Sequence, residues 1–427
     1  MTKEAAEAAE ATRAAGATAG TRFEVLEPER WEEWYGALER AFGGPPEAPE
    51  ERALWHGLTE CDRSLVALDG DVIAGGASAF SFRLSLPGGA VVPAAGVTMV
   101  GVTPTHRRRG VLTSLMRRQL DDVRERGESL AVLTASEPAI YGRFGYGAAI
   151  RKLRIDAETR RVSPVGPQGT DDVRLRLADP REALGACEAV YAALVPRRPG
   201  MLARRPGWEE LPLLDPQRDR EGFGERLCVL AERDGRVTGY ARYATRLTQS
   251  RGGQDGTVNV ADVEALDAAS YAALWRYLFA LDLVSTLTCH DRPVDDPLLH
   301  LVPDIRRLRL GVVDSLHLRL VDLGAALSAR AYAAPVDVVL EVADPFCPWN
   351  AGRWRLTGDA KGAVCERTTD AAELSLPTGA LATAYLGGPS LASLAGAGRV
   401  VEERAGALAA ASQAFGAGVA PWLPHGF

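Results

Sequence analysis

Apolar positions along this chain switch rhythm several times, and each switch marks an element. From Trp31 to Phe42 they recur at helical spacing, and Pro45, Pro46 and Pro49 then break the pattern. Leu65–Leu68 and Val72–Phe82 are apolar runs on either side of Asp69-Gly70, which predicts a β-hairpin. After a turn at Pro87-Gly88-Gly89, Ala95–Val102 reads as a strand. Leu112, Met116, Leu120 and Val123 share one face of a helix, with Arg117, Arg118, Asp121, Arg124 and Glu125 on the others. Leu130–Thr134 follows as a strand of the fully buried type.

A similar series returns about 165 residues later. Leu227–Glu232 and Arg236–Arg246 flank Asp234-Gly235, Thr257–Val260 reads as a strand, and Tyr271–Leu283 as a helix. Val72 and Val237 hold the same place after their turns. The connection Ala261–Ser270 has neither arginine nor glycine. The pattern fits a duplicated fold whose second copy lost one loop, although an Asp-Gly hairpin is common enough to arise twice by chance.

A third region begins near Gly311. Val312–Leu320 alternates as one strand, Leu323–Tyr332 reads as a short helix, and Val336–Val342, Asn350–Thr357 and Gly362–Glu366 read as strands. Ala405–Phe415 is helical, and the chain stops at Pro421-Trp422-Leu423-Pro424-His425-Gly426-Phe427. Two prolines and two aromatics make that end stiff enough to fill a groove, against the usual fraying of termini.

The length of 427 residues allows two to four domains. Forty-nine basic residues against 56 acidic argue against general nucleic-acid binding and are compatible with a cationic substrate. The uncharged stretches Leu84–Thr105 and Gly379–Gly398 are interrupted by proline and glycine, so neither is expected to span a membrane. Residues 1–20 carry no apolar run of signal type and read as a flexible tail, with folding expected from about Phe23. None of the six cysteines has C-x-x-C spacing, and six histidines give no ligand pattern; a cytoplasmic protein with reduced thiols and no metal is expected. Arg204-Arg205 and Arg306-Arg307 read as surface charge.

The candidate chemistry lies in Val97–Tyr146. The loop Arg107-Arg108-Arg109-Gly110 joins a strand to a helix beginning near Val111. Free N–H groups and the dipole of a helix start favour an anion, arginines add forked donors, and glycine lets a phosphate approach the backbone. An arginine loop alone is a weak signal; between two strands it suits a pyrophosphate better. Tyr141 and Tyr146 both lie where a phenol could serve as a proton donor, and spacing alone does not choose between them.

The segment resembles the acetyl-CoA loop of GNAT N-acetyltransferases, [QR]-x-x-G-x-[GA], with Arg107 and Gly110 matching and Leu112 departing from the last position. Val102–Gly110, Leu130–Glu137 and Ile140–Gly147 together are similar to the Eis (enhanced intracellular survival) family. The resemblance implies an α/β (α+β) architecture: a GNAT domain at 21–150, a second GNAT-like domain without cofactor at 151–311, and a sterol-carrier-protein-like domain at 312–427, with mixed central sheets. It implies acetyl-CoA as cosubstrate, held by Val100, Val102, Arg107, Arg108, Gly110, Val111 and Ser136. It assigns Tyr141 as general acid and the α-carboxylate of Phe427 as general base, although Gly426 replaces a glutamate found there in some members. His106 belongs to the loop's geometry. Met99 and Trp34 are candidate acceptor contacts, with packing of a helix face as the plainer role for Trp34. The implied activity is acetyl transfer to amines of aminoglycosides or similar polyamines by a homohexamer, a dimer of trimers. Acetylation of protein lysine or an endogenous amine is the alternative acceptor class, and an acyl-CoA or lipid-binding protein is the alternative of another kind.

Overall fold

A computed structural model describes residues 20–250 and 253–427. The expected tail at 1–20 lies outside them, apart from Gly20. Three mixed sheets carry the structure. The first runs Thr21–Val25, Leu65–Asp69, Val72–Ser85, Val91–Val102, Leu130–Thr134, Leu316–Leu320, Gly147–Ala148. The second runs Arg174–Ala178, Leu227–Arg233, Arg236–Ser250, Gly253–Ala265, Thr286–Pro293, Arg151–Glu158, Gly311–Asp314. The third runs Gly362–Arg367, Gly352–Asp359, Val336–Ala343, Leu374–Pro377, Val401–Glu402.

The first two sheets have the same plan of antiparallel hairpins, one parallel step and two closing strands. Chance likeness of two hairpins does not give one order across seven strands. They also exchange a strand. Arg151–Glu158, which follows the first sheet in the chain, fills the sixth place of the second sheet; Leu316–Leu320, which follows the second, fills the sixth place of the first. This corrects the reading of Val312–Leu320 as a single strand of the C-terminal region. The chain breaks at Ser315, Gly311–Asp314 pairs with Arg151–Arg154, and Leu316–Leu320 pairs with Leu130–Thr134. All five residues of Leu316–Leu320 are buried, as befits a central strand covered on both faces.

Both Asp-Gly hairpins form as expected. The helix Trp31–Phe42 buries Trp31, Trp34, Leu38 and Ala41, and Val111–Glu125 buries Val111, Leu115, Met116, Leu120 and Val123. Helix Pro49–Leu58 went unread because its proline cluster looks like a break, yet Pro49 stands in its first turn, where proline is tolerated. One apolar cluster joins Leu130, Leu316 and Leu318 of the first sheet to Val338, Leu340, Leu381 and Tyr385 of the C-terminal domain, so the two share a core. Arg204 corrects its surface assignment: its side chain is buried against the Tyr191 ring and ion-paired with Glu188.

Candidate active site

Val91–Val102 and Leu130–Thr134 run parallel but pair only at Ala95 with Ala131 and Gly96 with Val132. Beyond that point Leu133 and Thr134 stay with His317 and Leu316, so the two strands part and leave an opening at their C-terminal ends. On the other side, the register with Val72–Ser85 slips between Gly76 and Ser78, setting Met99 and Val100 against the single residue Ala77. Met99 takes φ 51°, a left-handed conformation rare for its side chain. Such a bulge leaves one peptide outside the ladder, here at the edge of the opening. Val100 and Val102 are half-buried there.

The loop after Val102 is braced from below. His106 is buried, with Nδ1 2.9 Å from the hydroxyls of both Thr103 and Thr105, and Nε2 3.3 Å from Asp69 Oδ2. Arg109 donates to the same Asp69 oxygen at 3.1 Å. Arg107 turns inward, donating to the carbonyls of Ala41 at 2.6 Å and Val102 at 3.2 Å. It therefore ties the loop to the end of helix Trp31–Phe42. Arg108 is exposed and takes none of the loop's hydrogen bonds among the described residues. Gly110, at φ 82°, ends the loop, and no side chain caps the helix that starts at Val111. The first-turn N–H groups are thus left for an external anion. This uncapped start fits the diphosphate of acetyl-CoA.

Ser136 is exposed just past Thr134, and the short helix Pro138–Tyr141 follows. Tyr141 is half-buried, and burial, aided by Glu137, raises its pKa above the usual phenol value, so it keeps its proton at neutral pH. Tyr146 packs edge-on against it with ring centroids 5.9 Å apart. The Tyr146 hydroxyl is wholly buried and has no hydrogen-bond partner among the described residues. Of the two, Tyr141 is the less buried.

The chain terminus enters the same opening. Thr134 Oγ1 donates to a carboxylate oxygen of Phe427 at 3.0 Å, and the Phe427 ring meets Phe82 edge-on at 4.8 Å. Gly96 makes room for both rings: a Cβ there would lie 2.2 Å from Phe82 and 3.3 Å from Phe427. Trp34, in contrast, is fully buried and donates its indole N–H to Leu65 at 3.1 Å. It packs the helix onto the sheet and presents no surface to an acceptor. Met99 is half-buried and touches the Trp31–Leu38 cluster.

Comparison with known proteins agrees with this geometry. A family described as an acetyltransferase (GNAT) domain matches residues 22–149, a second GNAT description matches 200–320, and a sterol carrier protein domain matches 323–424. N-acetyltransferase Eis of Mycobacterium tuberculosis is 36% identical over 82% of this chain and 86% of its own length. The chain belongs to the Eis family of GNAT N-acetyltransferases. The crystal structure of Eis1 from Mycobacterium abscessus superposes with a TM-score of 0.80 at 35% identity, covering 95% of this chain and all of that one. An uncharacterized N-acetyltransferase of Streptomyces avermitilis is 61% identical over 95% of this chain and all of its own.

Within this Eis-family fold the two GNAT copies differ at the parallel step. In the second sheet the parallel step holds for four pairs, Thr257–Val260 with Thr286–Cys289. The following helix, Ala268–Phe279, is capped by Asp267, whose carboxylate accepts from the N–H groups of Ala269 and Ser270 at 3.0 Å each. A fixed carboxylate thus satisfies first-turn N–H groups of the kind left uncapped at Val111. Sequence reasoning missed Asp69, Gly96 and Thr134 in this Eis-family site. Asp69 lay in plain view in the hairpin turn, but nothing local tied it to a loop 37 residues on. Among the described residues, no group of three or more His, Cys, Asp or Glu side chains is gathered to hold a metal, and no helix is long and apolar enough to cross a membrane.

Proposed function

We propose that this enzyme transfers acetyl from acetyl-CoA to primary amines of aminoglycosides or similar polyamines, with Tyr141 as general acid and the Phe427 carboxylate as general base. The observation that carries the reading is the terminal carboxylate seated on Thr134, beside the parted strands. Val100 and Val102 line the cosubstrate strand, while Gly110, Val111 and Arg108 meet the phosphates, with Arg107 holding the loop and Ser136 at its rim. The Val100 N–H polarises the acetyl carbonyl from a fixed position. The Phe427 carboxylate takes the proton shed by the acceptor amine as its nitrogen bonds to the acetyl carbon. Tyr141 gives its proton to the sulfur as the carbon–sulfur bond breaks.

The same chemistry on a protein lysine or an endogenous amine is the competing acceptor. A lipid-binding role is less suited, because Tyr332, Leu340, Leu381, Tyr385 and Phe415 fill the interior of the C-terminal domain. A cytoplasmic homohexamer, a dimer of trimers, completes the proposal, and light scattering of the purified chain tests its assembly.

Thiol release from acetyl-CoA is measured against aminoglycosides, polyamines and lysine peptides, with Tyr141→Phe alongside. Turnover on aminoglycosides that falls about 10²–10⁴-fold in the variant is the expected result. Turnover on lysine peptides alone would transfer the assignment to them. A chain lengthened beyond Phe427 that keeps full activity would remove the carboxylate from the mechanism.

A further inference from the structure

The central domain, whose helix start is capped by Asp267, also holds the chain terminus. Seven residues before the end, the Ala420 peptide is bracketed on both sides. Its N–H donates to Asp295 Oδ2 at 2.8 Å, and its carbonyl accepts from Arg198 Nη1 at 2.8 Å. Arg198 also donates to Asp295 Oδ1 at 2.7 Å, which closes the bracket into a ring. Two residues on, the Trp422 N–H donates to Pro199 at 2.8 Å, and the guanidinium of Arg292 lies over the Trp422 ring at 4.9 Å. His425 lies 3.3 Å from the Tyr191 hydroxyl, which itself donates to Leu202 at 2.8 Å.

The same loop is sewn to the first sheet. Gly200 and Ala203 donate to Ser85 and Arg83, and Ser85 donates back to Met201. These lie at the end of the strand whose neighbour carries the Met99–Val100 bulge. The Ala420 bracket and the Thr134 hydroxyl therefore fix the two ends of one short, stiff segment, Ala420–Phe427. Its length between them sets how far the carboxylate reaches into the opening.

We propose that Asp295 and Arg198 are positioning residues for the reaction: they lock the Ala420 peptide and so set the depth of the Phe427 carboxylate. This rests on the reading of that carboxylate as the base. It also gives the central domain a task in catalysis, the seating of a group supplied by the far end of the chain.

The test uses the full chain and Asp295→Ala, Asp295→Asn and Arg198→Gln. Three quantities are read: kcat with the best acceptor, calorimetric affinity for acetyl-CoA, and the rate at which carboxypeptidase releases Phe427, followed by mass spectrometry. In Asp295→Ala and Arg198→Gln, kcat is expected to fall about 10²-fold, as for a reacting group displaced by an ångström. Acetyl-CoA affinity stays the same and Phe427 is released faster. Asp295→Asn keeps an oxygen for the Ala420 N–H and recovers part of both effects, which a general loss of folding would not do. Wild-type release of Phe427, or fast release with wild-type kcat, overturns the proposal. A chain lacking Phe427 is assayed in parallel: if it is fully active the base assignment falls, and the carboxypeptidase rates alone decide whether Asp295 moors the tail.

Discussion

Arg319 and Asp344 form an ion pair with no exposed surface, and the Gly145 turn rests on it. Asp344 accepts from Arg319 at 2.6 and 2.8 Å, from the Cys347 N–H at 2.9 Å and from Asn350 at 3.1 Å, while Arg319 also donates to Thr378. Removing one member strands the other charge, so Asp344→Ala should cost about 3–5 kcal/mol and lower the thermal midpoint. Replacing both, as Arg319→Met with Asp344→Leu, should recover much of that loss. At Tyr141 the raised pKa fixes a second outcome. A general acid at this position, as proposed, works protonated and loses its proton only above the ordinary phenol value of about 10. The pH profile of kcat should therefore show no Tyr141 limb on the alkaline side until past that value; a fall near pH 8 would assign the limb to another group. Tyr141 stood out in the sequence only through the family motif, since spacing alone left it level with Tyr146. Arg319 and Thr134 were not, because their partners lie far along the chain and one sequence carries no record of contact.

Helix starts separate the two GNAT copies. The first copy begins its helix at Gly110 with φ 82° and no cap; the second begins at Asp267 with a carboxylate in place. Gly110→Val puts a β-branched residue where only glycine is at ease. It should weaken acetyl-CoA binding in calorimetry while leaving turnover at saturating acetyl-CoA much less affected. Asp267→Ala should do the reverse: a loss of about 1 kcal/mol from the missing cap, with acetyl-CoA affinity unchanged. The missing loop of the second copy was readable from Ala261–Ser270, which has no arginine or glycine. Its replacement by a working cap was not, since an aspartate before a helix is ordinary. Hairpins, amphipathic helices and the alternation of Leu316–Leu320 announced themselves through local pattern, whereas the pairing of that strand with Leu130–Thr134 did not, because a partner some 185 residues away leaves no local mark.

At the scale of the molecule, a buried acid lies close to where the tail meets the central domain. Glu264 is almost wholly buried, 3.6 Å from Arg292, and burial raises its pKa from 4.5 to about 8. The folded protein thus holds a proton there that the unfolded chain gives up above 4.5. That contribution is complete below 4.5 and fades as pH rises through about 8. Thermal midpoints across this range should therefore fall with pH more steeply in the wild type than in Glu264→Gln; parallel curves would refute the assignment.

The exchanged strand has a consequence for synthesis. The first sheet cannot close when its own early strands emerge from the ribosome, because Leu316–Leu320 is still unwritten. At about 5–20 residues per second, Leu320 follows Ile150 by on the order of ten to thirty seconds. Throughout that interval the apolar strand Leu130–Thr134 has one bare edge, the kind that recruits chaperones or other nascent chains. A message cut short after codon 150 should yield aggregate rather than a small acetyltransferase.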